Sequence, residues 1–192
     1  ADVAVSDTLT EAKAQIETSY DWSALRDTLT LTTAANTFNY VLVGAENSFK
    51  TLDVFNDTSK LEMRYQTSNW FNTHFLPDAP AKGAPTYYNY NGVDANGDSQ
   101  VDIFPIPDKV YTIRFNVTKR NPDLSADTDK VVIPVRPIIL LAVAMAIEER
   151  GEDGGQQSVN AYMMAQSAMS DEIAMDAARH PEDSIWYSVW NN

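Results

Sequence analysis

The chain has no cysteine, which excludes disulfide bridges, thiolate chemistry and cysteine-based zinc sites. Histidine is nearly as scarce. His74 and His180 lie far apart, with no His-x-x-x-His or Glu-x-x-His spacing that would hold a metal. Basic charge is short as well: 14 Lys and Arg against 27 Asp and Glu leave a formal net charge of −13. Such a protein is a poor clasp for phosphate backbones, where affinity comes from cations that displace counterions, although it can surround DNA without gripping it. A long apolar run is missing too. The most apolar stretch, IILLAVAMAI at 138–147, spans about 15 Å as a helix, half a bilayer core, and reads as a buried helix. The N-terminus lacks the basic start and apolar centre of a signal peptide, and no repeat or low-complexity segment occurs.

What is present suits a soluble globular domain: 192 residues, 44% hydrophobic and 21% charged. SDTLTEAKAQIETSYDWSAL, from Ser6, predicts a helix over about 6–26, capped by Ser6 or Asp7, with Leu9, Ala12, Ile16 and Tyr20 on one face. Leu29 and Leu31, then TAAN, then Phe38, Tyr40 and Leu42 alternate as in a β-hairpin. SFKTLDVFND continues in β fashion with Phe49, Leu52, Val54 and Phe55. In SKLEMRYQTSNWFNTHF, Leu61, Tyr65 and Trp70 suggest a helix of two or three turns, stopped by Pro77. Three strand-like runs between Tyr87 and Lys119, joined by short turns, predict an antiparallel meander. After a linker with Pro134 and Pro137, helices over about 137–150 and 157–179 form an αα-hairpin, with Tyr162, Ala165, Met169 and Ile173 facing inward. Leu141, Met145 and Met169 are expected in that core.

The fold class is therefore α+β. A helical bundle, the N-terminal helix plus the C-terminal αα-hairpin (about 6–26 and 137–180), accompanies an antiparallel sheet or small barrel (about 28–133). The whole chain reads as one domain with an extended tail over 181–192.

Candidate chemistry is thin. VDANGDSQVD, 93–102, offers Asp94, Asn96 and Asp98 at the first three oxygen positions of a calcium loop. Glycine then falls at position 4 instead of 6, position 12 is Pro105, and strands flank it. A hairpin turn in which Asn96 and Gly97 supply positive φ is the better reading. GEDGG lacks the Gly-Lys-Ser/Thr ending of a phosphate loop, and Ser48 and Ser99 lack a nucleophile-elbow context. The acid pairs Glu148–Glu149 and Asp171–Glu172 fall on helix faces expected to be solvated. Tyr87, Tyr88 and Tyr90 offer a sugar platform on paper, but Tyr88 and Tyr90 share one strand face and suit sheet packing equally. No catalytic, cofactor-binding or metal-binding residue is assigned, and no cofactor. The tail PEDSIWYSVWNN is different. An apolar aromatic strip at the end of a small domain docks on its own fold or on a neighbour, and Ile185, Trp186, Tyr187 and Trp190 are the candidate contacts with a neighbouring subunit.

The order of elements, with WSALRDTLTLTTAANTFNYVL, KGAPTYYNYNG, IFPIPDKVYTIRFNVTKRNPDLSADTD, LLAVAMAIEERGED and RHPEDSIWY, resembles the head–tail adaptor (connector, head-completion) proteins of tailed bacteriophages, including those related to tail tubular protein A. The resemblance implies a non-enzymatic virion protein of the neck, assembled in the host cytoplasm. It further implies a homo-oligomeric ring of about a dozen copies beneath the portal, with tail or nozzle proteins docking on its far side. DNA would pass through without sequence-specific binding, and no membrane is involved. The rival expectation is a carbohydrate-binding or attachment module using Tyr87–Tyr90 and the 93–102 loop; a metal-assisted hydrolase would need the acids and histidines to converge.

Overall fold

A computed structural model describes residues 3–44, 48–125, 128–151 and 155–179, with side chains from Asp7 onward. The chain forms two compact units, one from residues 1–25 and 120–192 and the other from Arg26–Lys119. The mix of helices and sheets is α+β, as expected.

The second unit is a β-sandwich. Its strands are β1 (Arg26–Thr32), β2 (Asn39–Val41), β3 (Phe49–Asn56), β4 (Leu61–Glu62), β5 (Arg64–Tyr65), β6 (Tyr87–Val93), β7 (Ser99–Phe104) and β8 (Thr112–Lys119). One sheet has the order β1-β8-β3-β4, the other β2-β7-β6-β5, and only β5–β6 runs parallel. Alternate residues of both sheets face inward: Leu29, Leu31, Val54, Ile113, Phe115 and Val117 from the first, and Leu42, Tyr88, Val101 and Ile103 from the second. The Tyr88 and Phe115 rings meet edge to face across the gap, centroids 5.8 Å apart.

Two expectations about pairing fail. Leu29–Leu31 and Tyr40–Leu42 do not form a hairpin: β1 pairs with β8 and β2 with β7, so the TAAN turn carries the chain from one sheet to the other. The meander breaks likewise. β6 and β7 pair antiparallel, but β8 crosses into the opposite sheet between β1 and β3. Period-two alternation shows that a strand has one buried face, not which neighbour it pairs with. A bulge between Thr51 and Asp53 turns Leu52 outward while Val54 stays buried. Of the ambiguous segment, Leu61 and Tyr65 fall on short strands, and only Ser68–Phe75 is helical (α2). Thr67 caps it by accepting the Trp70 N–H, and Phe71 is buried. Trp70 lies against Tyr87 and Phe104, 4.8 and 5.4 Å between centroids, so α2 covers the outward face of β6 and β7.

The first unit contains α1 (Val3–Ser19), a 3-10 turn (Ser23–Leu25), α3 (Val135–Arg150) and α4 (Gln156–Arg179). α1 begins ahead of Ser6 and Asp7, so neither is its cap, and it ends at Ser19 instead of running to 26. The Trp22 indole donates to the Ile16 carbonyl, 2.8 Å, satisfying the helix end. Pro137 sits in the first turn of α3, and Gly151, at φ +63°, closes its end, donating its N–H to Ile147 O. α4 returns along α3: Tyr162 donates to Glu148 at 2.6 Å, while Leu141 shares a cleft with Ala165 and Met169. Ala12, Ile16, Trp22, Leu25, Ile138, Leu141 and Ala165 build the core; Met145 and Met169 are only half-buried at its margin.

Lys13 and Glu17 are buried in this unit, at 1% and 3% exposure. Their i,i+4 ion pair is 3.1 Å long, and Lys13 also donates to the carbonyls of Asn121 and Pro122, both at 3.0 Å. Arg120 approaches Glu17 at 3.6 Å. Breaking a buried pair leaves a charge in low dielectric, so Lys13→Met should cost about 3–5 kcal/mol in denaturant unfolding. Lys13→Met/Glu17→Gln should lose less than the sum of the two single changes, with a coupling of about 0.5–3 kcal/mol. A cycle that closes without coupling would show that the pair does not act as a unit.

Candidate functional site

The tail residues Ile185, Trp186, Tyr187 and Trp190 lie outside the described residues, as does His180. α4 ends at Arg179, and thirteen residues follow it.

Of the other candidates, Ser48, Glu149 and Asp171 are exposed, and several of the rest are held in structural roles. In the 93–102 loop, the Asp94 carboxylate accepts the backbone N–H groups of Asn96 and Asp98 at 2.8 and 2.9 Å, and Gly97 N–H reaches Asp94 O at 3.2 Å. This is a turn between β6 and β7. Gly97 alone takes a positive φ, +89°, so the loop is a type I turn with a bulge, not the primed turn that needs Asn96 left-handed as well. Asp98 accepts from Gly44 N–H at 3.0 Å, tying the turn to the end of β2.

Tyr88 is buried and Tyr90 packs against the sandwich core, while Tyr87 faces α2. These rings hold the sheet, and the three together present no flat platform. Burial pushes the Tyr90 hydroxyl up to about 12, and it hydrogen-bonds Thr51 inside the sandwich. His74 stacks on Trp70 at 3.7 Å with Nδ1 at 2.8 Å from the Trp70 carbonyl. Ser99 is buried in β7. Glu148 accepts from Tyr162, and this bond raises the tyrosine above its ordinary range. Asp176, buried, accepts from the backbone and hydroxyl of Ser23 at 3.0 and 2.6 Å, which anchors the 3-10 turn to α4. Among the described residues, no group of three or more His, Asp or Glu could hold a metal ion. No described helix is long and apolar enough to cross a membrane.

What remains is surface. Val135, Ile139 and Val143 recur every four residues along α3 and are 47%, 51% and 47% exposed. They form an apolar stripe on the side of α3 opposite Leu141 and Ala144. Arg136 and Arg150, both exposed, bracket it. The 138–147 run is therefore buried on one face only, not all round as its composition predicts. The signal was there: a helix apolar all round has more apolar surface than one core can take, and the excess needs a second partner. On α4, Val159 and Met163 are also exposed, among Ser and Asn. The cleft lined by Ile16, Leu141, Tyr162, Ala165 and Met169, together with Gln15, Ser19 and Gln166, is a mostly apolar seam between the helices with no charged group in its lining.

The family model described as SU10 adaptor protein matches residues 1–187. None of the curated proteins compared with the chain matches it.

The turn assignment carries a direct test. Asp94→Ala removes the acceptor for two backbone N–H groups and should lower stability by about 1 kcal/mol, the usual net value of a hydrogen bond. Melting temperatures of parent and variant should both be unmoved by added calcium. A calcium-dependent rise in the parent that vanishes in the variant would identify a bound ion instead, since a ligand held only by the native state must stabilise it.

Proposed function

The chain belongs to the SU10 adaptor protein family, and from that premise we propose that it is a non-enzymatic structural subunit of a phage virion, forming a ring between portal and tail. The ring continues the DNA channel on one side and offers tail components a docking surface on the other. The observation that carries this reading is the extent of the match, which takes in both units and reaches into the aromatic tail.

Three features support it. Asp94 and Asp98 are engaged in a turn, Tyr88 and Tyr90 in the sandwich, and Glu148 with Tyr162. A net charge of −13 suits a channel wall that DNA slides past, because like charge repels the backbone instead of holding it. Val135, Ile139 and Val143 leave an exposed apolar stripe along α3, as expected of a subunit completed by neighbours. Ile185, Trp186, Tyr187 and Trp190 are the residues proposed to reach a neighbouring copy or the portal; large aromatics at an interface centre contribute most to binding.

Heads purified from an infection lacking this protein supply the experiment. Adding the purified chain should let those heads accept tails. Full-length chain carrying Trp186→Ser and Trp190→Ser should retain its circular dichroism spectrum and lose that ability. Heads that accept tails equally well without the protein would remove the adaptor role.

A further inference from the structure

We propose that β1 is a pairing edge of the free chain, and that its occupant is β1 of a second copy, antiparallel and centred on Thr30. The inference stands on the sandwich alone. It is separate from the ring reading, because a two-fold contact differs from the head-to-tail contacts that close a ring.

β1 ends its sheet, whose order is β1-β8-β3-β4. Along such a strand the backbone groups point alternately to the two sides. Thr33 N–H donates to Tyr111 O at 2.9 Å, and the carbonyl of Thr112, opposite Thr32, is taken from the far side by Asp57 N–H at 2.9 Å. Thr28, Thr30 and Thr32 therefore point their N–H and C=O groups away from β8. Thr28 shows the same direction, since its N–H is held by the Asp27 carboxylate at 2.7 Å. No described residue meets the edge-facing groups of Thr30 and Thr32, and both residues are exposed.

The other edges are guarded by their shortness. β2 has three residues, and β4 and β5 have two each. β1 has seven residues in unbroken register with β8, without the proline, lysine or bulge that blunts such an edge.

The sequence selects the occupant. Residues 28–32 read Thr-Leu-Thr-Leu-Thr in either direction. Antiparallel pairing about Thr30 sets threonine opposite threonine on the outer face and Leu29 opposite Leu31 on the inner one. Arg26 then falls opposite Ala34 and Asp27 opposite Thr33, so no like charges meet. A parallel arrangement would set each of those charges beside its own counterpart. With Thr28 N–H held by Asp27, about four backbone bonds remain across the pair, two at Thr30 and one at each end. So short a strand pair buries far less than the roughly 800 Å² per partner of a permanent interface, which makes it a transient contact.

Engineered cysteines read the register, because the chain has none of its own. Directly opposite residues at such positions stand about 5.5 Å apart between Cα atoms, inside disulfide range. Thr28 and its own counterpart would be roughly 14 Å apart along the strands, far outside it. Under mild oxidation, full-length Thr30→Cys should therefore link to a dimer about tenfold faster than Thr28→Cys or Thr32→Cys alone. An equal mixture of Thr28→Cys and Thr32→Cys should link within a few fold of the Thr30→Cys rate, and its product should be the mixed dimer. Equal rates for the three single variants would mean random collision and overturn the proposal. So would a mixture that fails to link, or no dimer from Thr30→Cys. Faster self-linking of Thr28→Cys or Thr32→Cys than of Thr30→Cys would overturn it by showing another register. None of these outcomes touches the ring reading, which the experiment on deficient heads tests separately.

Discussion

The buried ammonium of Lys13 constrains how the segments of the helical unit come together. The chain leaves this unit after Leu25 and returns at Arg120, so α1 must be rejoined to α3 and α4 across an excursion of the whole β-sandwich. Lys13 closes that gap. Its Nζ is held by Glu17 and by two consecutive carbonyls, Asn121 and Pro122, at the point of return. A buried charge is tolerated only when its partners are in place. The contact thus fixes where the returning chain must lie more than it adds net stability. Asp176 repeats the device at the point of departure by binding Ser23. Within the sandwich the two crossings are neighbours, since β1 and β8 pair from Arg26 and Thr118 onward. Lys119 bridges to Asp27 at 2.9 Å and, through that bond, holds the carboxyl below its usual range.

Those constraints explain why the molecule reads as a building part. Lys13, Glu17 and Asp176 clamp chain segments to one another, and Tyr88 and Tyr90 are packed in the sandwich. On the outside, apolar side chains recur at helical spacing on α3, and an aromatic strip follows α4 in sequence. Membership of the SU10 adaptor protein family is consistent with a structural part of this kind.

Much of the fold was legible in the sequence, for identifiable reasons. The αα-hairpin was marked by Pro137, the glycine-bearing connection and the spacing of Tyr162, Ala165 and Met169. The outward and inward tyrosines of β6 followed from period two. Pairing was not legible. The alternation in β1 and β2 is identical whether they form a hairpin or split between two sheets, and the same ambiguity hid the transfer of β8. Lys13 and Glu17 were invisible too, because an i,i+4 Lys–Glu pair reads as a solvated helix surface until a loop some 108 positions away covers it. The stripe on α3 was hidden by its own composition. Residues 138–147 are so apolar that burial on every side was the natural expectation, and only the packed structure separates the face that is covered from the face that is not.

The central claim is that copies of this chain form a closed ring at the junction of head and tail. Electron cryomicroscopy of the virion neck, with the chain built into the density, tests it most directly. The account predicts a single rotationally symmetric layer of this subunit between portal and tail, enclosing a channel wide enough for duplex DNA. Density in which the subunit is missing from that layer, or sits singly on the outside of the particle, would contradict it.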